Sequence, residues 1–355
     1  MAPRRSRLAA PWFDLARSTL KAAGKLSKAA TRAAGQAARA QAPAIEKATR
    51  QMLTGVATPT PAPEAGGRGR WEEGRWGLGP LAQRFYRLYL PPGASLRRPV
   101  PLLMLLHGCG QDAASFAAAT RAAANARAGG FAVLLPEQSS EANPQRCWNW
   151  FRPEPVLALE TGILAALVEH VCRVFPLRRD QVFALGLSAG GAMAATLALR
   201  HPDLLKGIGV HSGALPGSAE TPLQAGQSMR GRGDADLGKL RRHLGARLLP
   251  PLIVLHGNLD HTVSPANAEA TTRLWLDLAP PGSIRTGPRR EIRRGLRHPC
   301  LVTDWKRGGT PYVRQVCIRG LGHAWSGGAA RQAFSDPRGP DALKMAWGFL
   351  RPTAG

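Results

Sequence analysis

Residues 183–191 read FALGLSAGG and continue into GAMAATLALR at 191–200. An apolar run of this kind suits a buried strand, and the alanine-rich stretch after it suits a helix. Between them lies Gly186-Leu187-Ser188-Ala189-Gly190. The two glycines permit a tight strand-to-helix turn where side chains would clash, and the turn lifts the serine hydroxyl above the sheet. A helix starting just beneath the serine offers its N-terminal N–H groups and partial positive charge to a developing oxyanion. Gly-x-Ser-x-Gly alone arises often by chance; a strand before it and an apolar helix after it make it a nucleophile turn.

Working outward, strands are expected at 82–90, 101–107, 131–136, 181–187, 207–212, 251–256 and 312–319. Helices are expected at 113–128, 157–175, 189–200, 265–278 and 340–350. A Gly/Arg-rich excursion at 213–248 and an irregular basic insert before the last strand complete the order. PLLMLLH (101–107) and PLIVLHG (251–257) are apolar without alternation, as strands covered on both faces are. Alternating strands and helices predict an α/β fold with a mostly parallel central sheet and helices on both faces. The 355 residues, 44% of them hydrophobic, suffice for one large domain with extensions. Its expected organisation is a basic, Ala-rich arm over 1–56, a Pro/Gly-rich linker over 57–80 and the folded domain over 81–352.

The net charge of +25 raises the question of nucleic acid. Only eight of the 48 basic residues are lysine, and the arginines are scattered through an Ala-, Gly- and Pro-rich chain. That is a compositional bias rather than a binding stripe, so no specific nucleic-acid partner is expected. No run approaches the ~18 apolar residues of a spanning helix. Within the arm, RRSRLAAPWF (4–13) starts positively, but Asp14 and Arg17 interrupt the apolar run that an export signal needs. The arm is read as a basic segment suited to an anionic or hydrophobic surface.

A serine hydroxyl needs a base, and the base needs an acid to orient it; in this fold they follow in the order Ser, Asp/Glu, His. LHGNLDHTVSP (255–265) places Asp260 just after a buried strand, and VCIRGLGHAWSGG (316–328) places His323 just after another. Asp304 and Asp336 also lie on plausible loops, so the acid is less narrowly specified than the base. Among the other histidines, His107 and His256 belong to strand-end His-Gly pairs read as shaping backbone, and His261 adjoins Asp260 too closely to pair in line. His170, His201, His211, His243 and His298 read as surface or core residues. In LLMLLHGCGQDAASF (102–116) the chain leaves a strand through small residues whose N–H groups can face the site. The oxyanion donors are therefore expected to be the backbone N–H groups of Cys109 and Ala189.

HGCGQ, PEQSSEANPQRCWNWF, GLSAGGAMA, HGNLDHTVSPAN and GLGHAWSGG, in that order, resemble the polyhydroxybutyrate depolymerase-type esterases, which are similar to feruloyl and acetylxylan esterase catalytic domains. The resemblance covers about residues 82–350. It implies an α/β-hydrolase with Ser188, Asp260 and His323 as triad and Cys109 and Ala189 as oxyanion donors, acting on hydroxyalkanoate oligoesters or related esters. It also suggests that Trp148 lies near the substrate. Trp148, Trp150 and Phe151, with Trp325 two residues after His323, read as a hydrophobic acyl cleft as readily as core, and Trp148 and Trp325 are taken as the substrate-binding residues. No Ser/Thr-rich linker and binding module follow the esterase segment, so soluble or amorphous ester is the expected form of substrate.

Of the five cysteines, Cys109 with Cys147 and Cys300 with Cys317 are read as bridges, leaving Cys172 free. Such pairing, with the family resemblance, points to an extracellular, oxidising setting, a cytoplasmic one being the alternative. No zinc-like Cys/His spacing and no phosphate-binding glycine loop occurs, so neither metal nor cofactor is expected. The competing readings are a feruloyl/acetylxylan-type esterase, a peptidase or acyltransferase using the same triad, and a surface-binding protein on an inactive scaffold.

Overall fold

A computed structural model describes residues 68–351 of the chain. The readings placed on the arm and on 57–67 lie outside the described residues. The sheet consists of β1 (Arg70–Trp76), β2 (Arg84–Leu90), β3 (Val100–Leu106), β4 (Ala132–Pro136), β5 (Leu177–Leu187), β6 (Gly207–His211), β7 (Leu252–Gly257), β8 (Ile284–Thr286), β9 (Arg290–Ile292), β10 (Cys300–Arg307) and β11 (Thr310–Ile318). They form one 11-stranded sheet in the order β1-β2-β4-β3-β5-β6-β7-β11-β10-β8, with β9 also paired to β10. From β4 through β3, β5, β6 and β7 to β11 every pairing is parallel. Antiparallel strands extend the sheet at both edges.

The central strands are apolar throughout because their two faces feed two separate cores. Leu102, Met104 and Leu106 of β3 join Val182 and Ala184 of β5 beneath the helices Glu154–Val174 and Ala189–Arg200. Leu103 and Leu105, with Phe183 and Leu185, pack on the opposite side with Phe116, Ala126, Leu343 and Trp347. Each parallel strand thus ends on the same rim, and the loops leaving β3, β5, β7 and β11 rise side by side there.

Four expectations are corrected. First, residues 70–76, inside the stretch read as linker, form β1 in full register with β2. RWEEGRW carries tryptophans that half-bury, and a Cβ on Gly74 would stand 2.5 Å from the Tyr86 hydroxyl, so this glycine admits a neighbour rather than breaking the strand. Second, the basic insert contains β8, β9 and β10; CLVTDWKR alternates buried with half-buried positions and hides a strand among charges. Third, Cys300 and Cys317 do not bond. Cys300 lies opposite Ile318 and Cys317 opposite Leu301, so the two thiols point to opposite faces of the sheet. Cys172 is also free. The expected helix over 113–128 is two, Ala113–Ala119 and Ala122–Gly129, broken where Arg121 takes φ 53°.

Candidate active site

The turn after β5 is held by close backbone packing. A Cβ on Gly186 would come within 2.2 Å of the Gly190 backbone, and one on Gly190 within 2.1 Å of the Leu106 carbonyl oxygen. Only hydrogen fits at either place. Ser188 between them takes φ 57° and ψ −120°, a strained conformation for a residue with a side chain. Its N–H donates to the His211 carbonyl at 2.8 Å, which ties the turn to the end of β6.

The loops after β7 and β11 are stitched together before either presents its functional side chain. Leu259 N–H donates to Leu321 O at 3.0 Å, and Gly320 N–H to Asn258 Oδ1 at 2.7 Å. A Cβ on Gly257 would stand 2.2 Å from the Leu321 carbonyl oxygen, so the crossing needs glycine. This crossing brings Asp260 and His323 together from 63 residues apart. His323 Nδ1 lies 2.8 Å from Asp260 Oδ2, and His323 Nε2 lies 3.0 Å from Ser188 Oγ. With the carboxylate accepting from Nδ1–H, Nε2 is left to accept from the serine hydroxyl.

Asp260 is buried at 3% exposure. Its Oδ1 accepts from Thr262 N–H at 3.0 Å and Val263 N–H at 2.8 Å. His256 Nε2 donates to Val263 O at 2.9 Å and lies 3.3 Å from Asp260 Oδ2. Burial alone would raise the Asp260 pKa, but the hydrogen bonds from His256, His323 and the Val263 N–H hold it well below the usual carboxylate range. The rival acids are occupied elsewhere. Asp304 binds Arg314 at 2.6 Å and Arg290 at 2.8 Å, while Asp336 faces His298 at 3.1 Å.

His211 is wholly buried. Its Nε2 accepts from Ser326 N–H at 3.2 Å and its ring stacks on Trp325 at 5.1 Å, while its carbonyl holds Ser188. One residue therefore braces both the serine turn and the loop that carries His323. Burial, and then the neighbouring His256 and His323, push its pKa down to about 3. The sequence reading passed over His211, and it missed that His256 faces the acid. Both histidines sit at strand ends, His256 in β7 and His211 as the last residue of β6, and that shared position was the signal.

On the other side of Ser188, the turn His107–Gly110 leaves β3. A Cβ on Gly108 would touch the Ser188 Cβ at 3.6 Å, which places this turn against the serine. Ala189 is the first residue of its helix, so its N–H has no partner within that helix. The Cys109 N–H has no protein acceptor among the described residues. Cys109 and Cys147 are disulfide-bonded, as expected. Trp148 and Trp325 differ from expectation: both are fully buried, so neither lines an open cleft. The Trp148 indole N–H donates to the His107 carbonyl at 3.0 Å, and the Trp325 ring meets Phe116 edge-on at 5.5 Å. They support the two site loops from beneath.

Comparison with known proteins agrees with this architecture. Residues 84–294 match the family described as "Esterase PHB depolymerase", a match that ends before His323. Poly(3-hydroxyalkanoate) depolymerase C of Paucimonas lemoignei is 28% identical over 245 residues, covering 63% of this chain and 54% of that protein. The chain thus spans about half the length of that relative. Feruloyl esterase B of Thermothelomyces thermophilus is 26% identical over 207 residues, covering 54% of this chain and 69% of the relative. Among solved structures, the acetyl xylan esterase from Aspergillus awamori superposes with a TM-score of 0.61 at 17% identity, covering 79% of this chain and 100% of that one, and so shares the fold. On the family match and the architecture together, this chain belongs to the PHB depolymerase esterase family and has the α/β-hydrolase fold.

Proposed function

We propose that this protein is a serine carboxylester hydrolase acting through an acyl-enzyme. The observation that carries the reading is the unbroken relay from Asp260 Oδ2 to His323 Nδ1 at 2.8 Å and from His323 Nε2 to Ser188 Oγ at 3.0 Å. His323 takes the Ser188 proton as the hydroxyl oxygen attacks the ester carbonyl, and Asp260 stabilises the imidazolium that results. The N–H groups of Cys109 and Ala189 receive the oxyanion. His323 then returns its proton to the leaving alcohol, activates a water, and the acyl group departs as the acid. The relay argues against an inactive, surface-binding scaffold.

Hydroxyalkanoate oligoesters are the substrate class we favour, on the family match and on the similarity to a poly(3-hydroxyalkanoate) depolymerase. The similarity to a feruloyl esterase makes acylated sugars the second class to assay. The Cys109–Cys147 bridge supports an oxidising working compartment. The deciding experiment is a panel of p-nitrophenyl acyl esters, hydroxybutyrate oligomers, and feruloylated and acetylated sugars, run with parent protein and Ser188→Ala. Turnover of one class that vanishes in Ser188→Ala is expected; turnover that survives the substitution overturns the serine mechanism.

A further inference from the structure

We propose that His107 is the positioning residue of the oxyanion turn: its imidazole fixes the Gly108–Cys109 peptide so that the Cys109 N–H faces the reacting carbonyl. The inference rests on the serine-esterase reading above and goes beyond it to a residue that does not touch substrate.

The argument begins with the tautomer. His107 Nδ1 lies 2.7 Å from the Gly108 carbonyl oxygen, and its Nε2 lies 3.1 Å from the Gln138 backbone nitrogen. A carbonyl only accepts and an N–H only donates, so Nδ1 carries the proton and Nε2 carries the lone pair. Both ring nitrogens are satisfied in one way only. Burial pushes the His107 pKa down to about 4, so the ring stays in this neutral form at neutral pH.

Peptide planarity then turns a ring contact into an oxyanion contact. In a trans peptide the C=O and N–H point in opposite directions across the same rigid plane, and no cis bond occurs among the described residues. By gripping the Gly108 carbonyl from the buried side, His107 turns the N–H of the same peptide unit away from itself. That N–H belongs to Cys109, it has no protein acceptor among the described residues, and Cys109 is exposed. Ser188 lies against Gly108, so the released donor and the nucleophile share one neighbourhood. A carbonyl that accepts a hydrogen bond also polarises its peptide, which makes the N–H a stronger donor.

The ring is held from several sides. The Trp148 indole packs on it at 5.2 Å and donates to the His107 carbonyl. Gly108 N–H donates to Gln111 Oε1 at 2.9 Å, and Gly110 N–H to Gln145 O at 2.9 Å. These bonds hold the flanking peptides; on the Gly108–Cys109 plane itself the His107 contact at 2.7 Å is the shorter of two, the Gln111 N–H donating to the same Gly108 carbonyl at 3.3 Å.

The test compares two neutral amides that place a donor differently. His107→Asn sets its NH2 near the Nδ1 position and keeps the bond to Gly108 O; His107→Gln sets its polar end near the Nε2 position and loses that bond. We expect His107→Asn to retain kcat within about fivefold and His107→Gln to lose about 100-fold, each with KM within threefold, the larger loss being that of one preorganised oxyanion donor. Affinity for an alkylboronic acid, which forms a tetrahedral adduct on Ser188, falls in parallel with kcat. A His107→Gln enzyme as active as His107→Asn, or a kcat loss without weaker boronate affinity, overturns the proposal. Ser188→Ala is run alongside. If it retains turnover, the serine mechanism itself fails, which is separable from a result in which Ser188→Ala is dead and the two His107 variants behave alike.

Discussion

Asp260→Asn is close to isosteric, and the surroundings of the carboxylate dictate what the amide must do. Oδ1 accepts two backbone N–H groups, from Thr262 and Val263, so the amide oxygen has to take that place. The NH2 then occupies the Oδ2 position, 2.8 Å from His323 Nδ1. Rotating the amide would set NH2 against two donors, a worse arrangement. Facing an NH2, His323 can only accept at Nδ1, so its proton moves to Nε2 and points at the serine hydroxyl that it should deprotonate. The His256 N–H, 3.3 Å from the same position, faces a second donor as well. The base is present but in the wrong tautomer, which in an analogous triad drops kcat about 10⁴-fold. A loss of that size is ~5.5 kcal/mol of transition-state stabilisation. Steady-state hydrolysis of a p-nitrophenyl ester should show this loss in kcat with KM within a few-fold, in protein whose circular dichroism matches the parent. A folded, pure variant with kcat within tenfold of the parent refutes the tautomer argument. Asp304→Asn, which loosens an ion-paired cluster on β10, should leave kcat unchanged.

Three further outcomes follow from the packing around the site. Replacing Cys109 and Cys147 together by alanine opens a crosslink spanning 38 residues. It should cost about 3–4 kcal/mol, lowering Tm by roughly 10 °C, while the retained Cys109 backbone keeps turnover measurable. His107 and His211 have folded-state pKa values pushed down to about 4 and about 3 by burial, whereas the unfolded chain protonates them near the ordinary histidine value of about 6.5. Their contribution to stability is therefore complete above pH ~6.5 and lost as pH falls, on the order of 2–3 kcal/mol each by pH 4.5; urea titrations at pH 7 and pH 4.5 that give equal stability would contradict this. Trp148→Phe removes the indole bond to the His107 carbonyl, so it should cost about 1–3 kcal/mol in urea denaturation and lower kcat by about tenfold through displacement of the turn.

What the sequence made legible follows from where each signal resides. Gly186, Ser188 and Gly190 act within one turn, so their meaning is local and can be read locally. Asp260 and His323 were legible because their loops leave apolar strands, and apolar strands announce themselves. Trp148 and Trp325 were misplaced because an aromatic beside a functional loop has the same sequence context whether it faces the cleft or the core; only packing decides, and both face inward. β1 and β10 were missed for a related reason. An edge or antiparallel strand needs only one buried face, and its alternating charged residues look like linker or loop. The Cys300–Cys317 pairing failed on register, a property of two strands together that neither carries alone.

The backbone at Ser188 sets foldedness and chemistry in competition. Its φ of 57° and ψ of −120° are imposed by the turn, and a conformation of that kind costs a side-chain-bearing residue about 1–3 kcal/mol. Glycine would escape most of that strain, at a loss of ~1 kcal/mol or less from the greater freedom of its unfolded chain. Ser188→Gly should therefore be at least as heat-resistant as the parent and wholly inactive. A laboratory evolution campaign that scored only melting temperature would be drawn to this substitution and would discard the hydroxyl on which the proposed mechanism depends. Stabilising this enzyme by design thus requires position 188 to be held fixed, with improvements sought elsewhere, such as at the edges of the sheet.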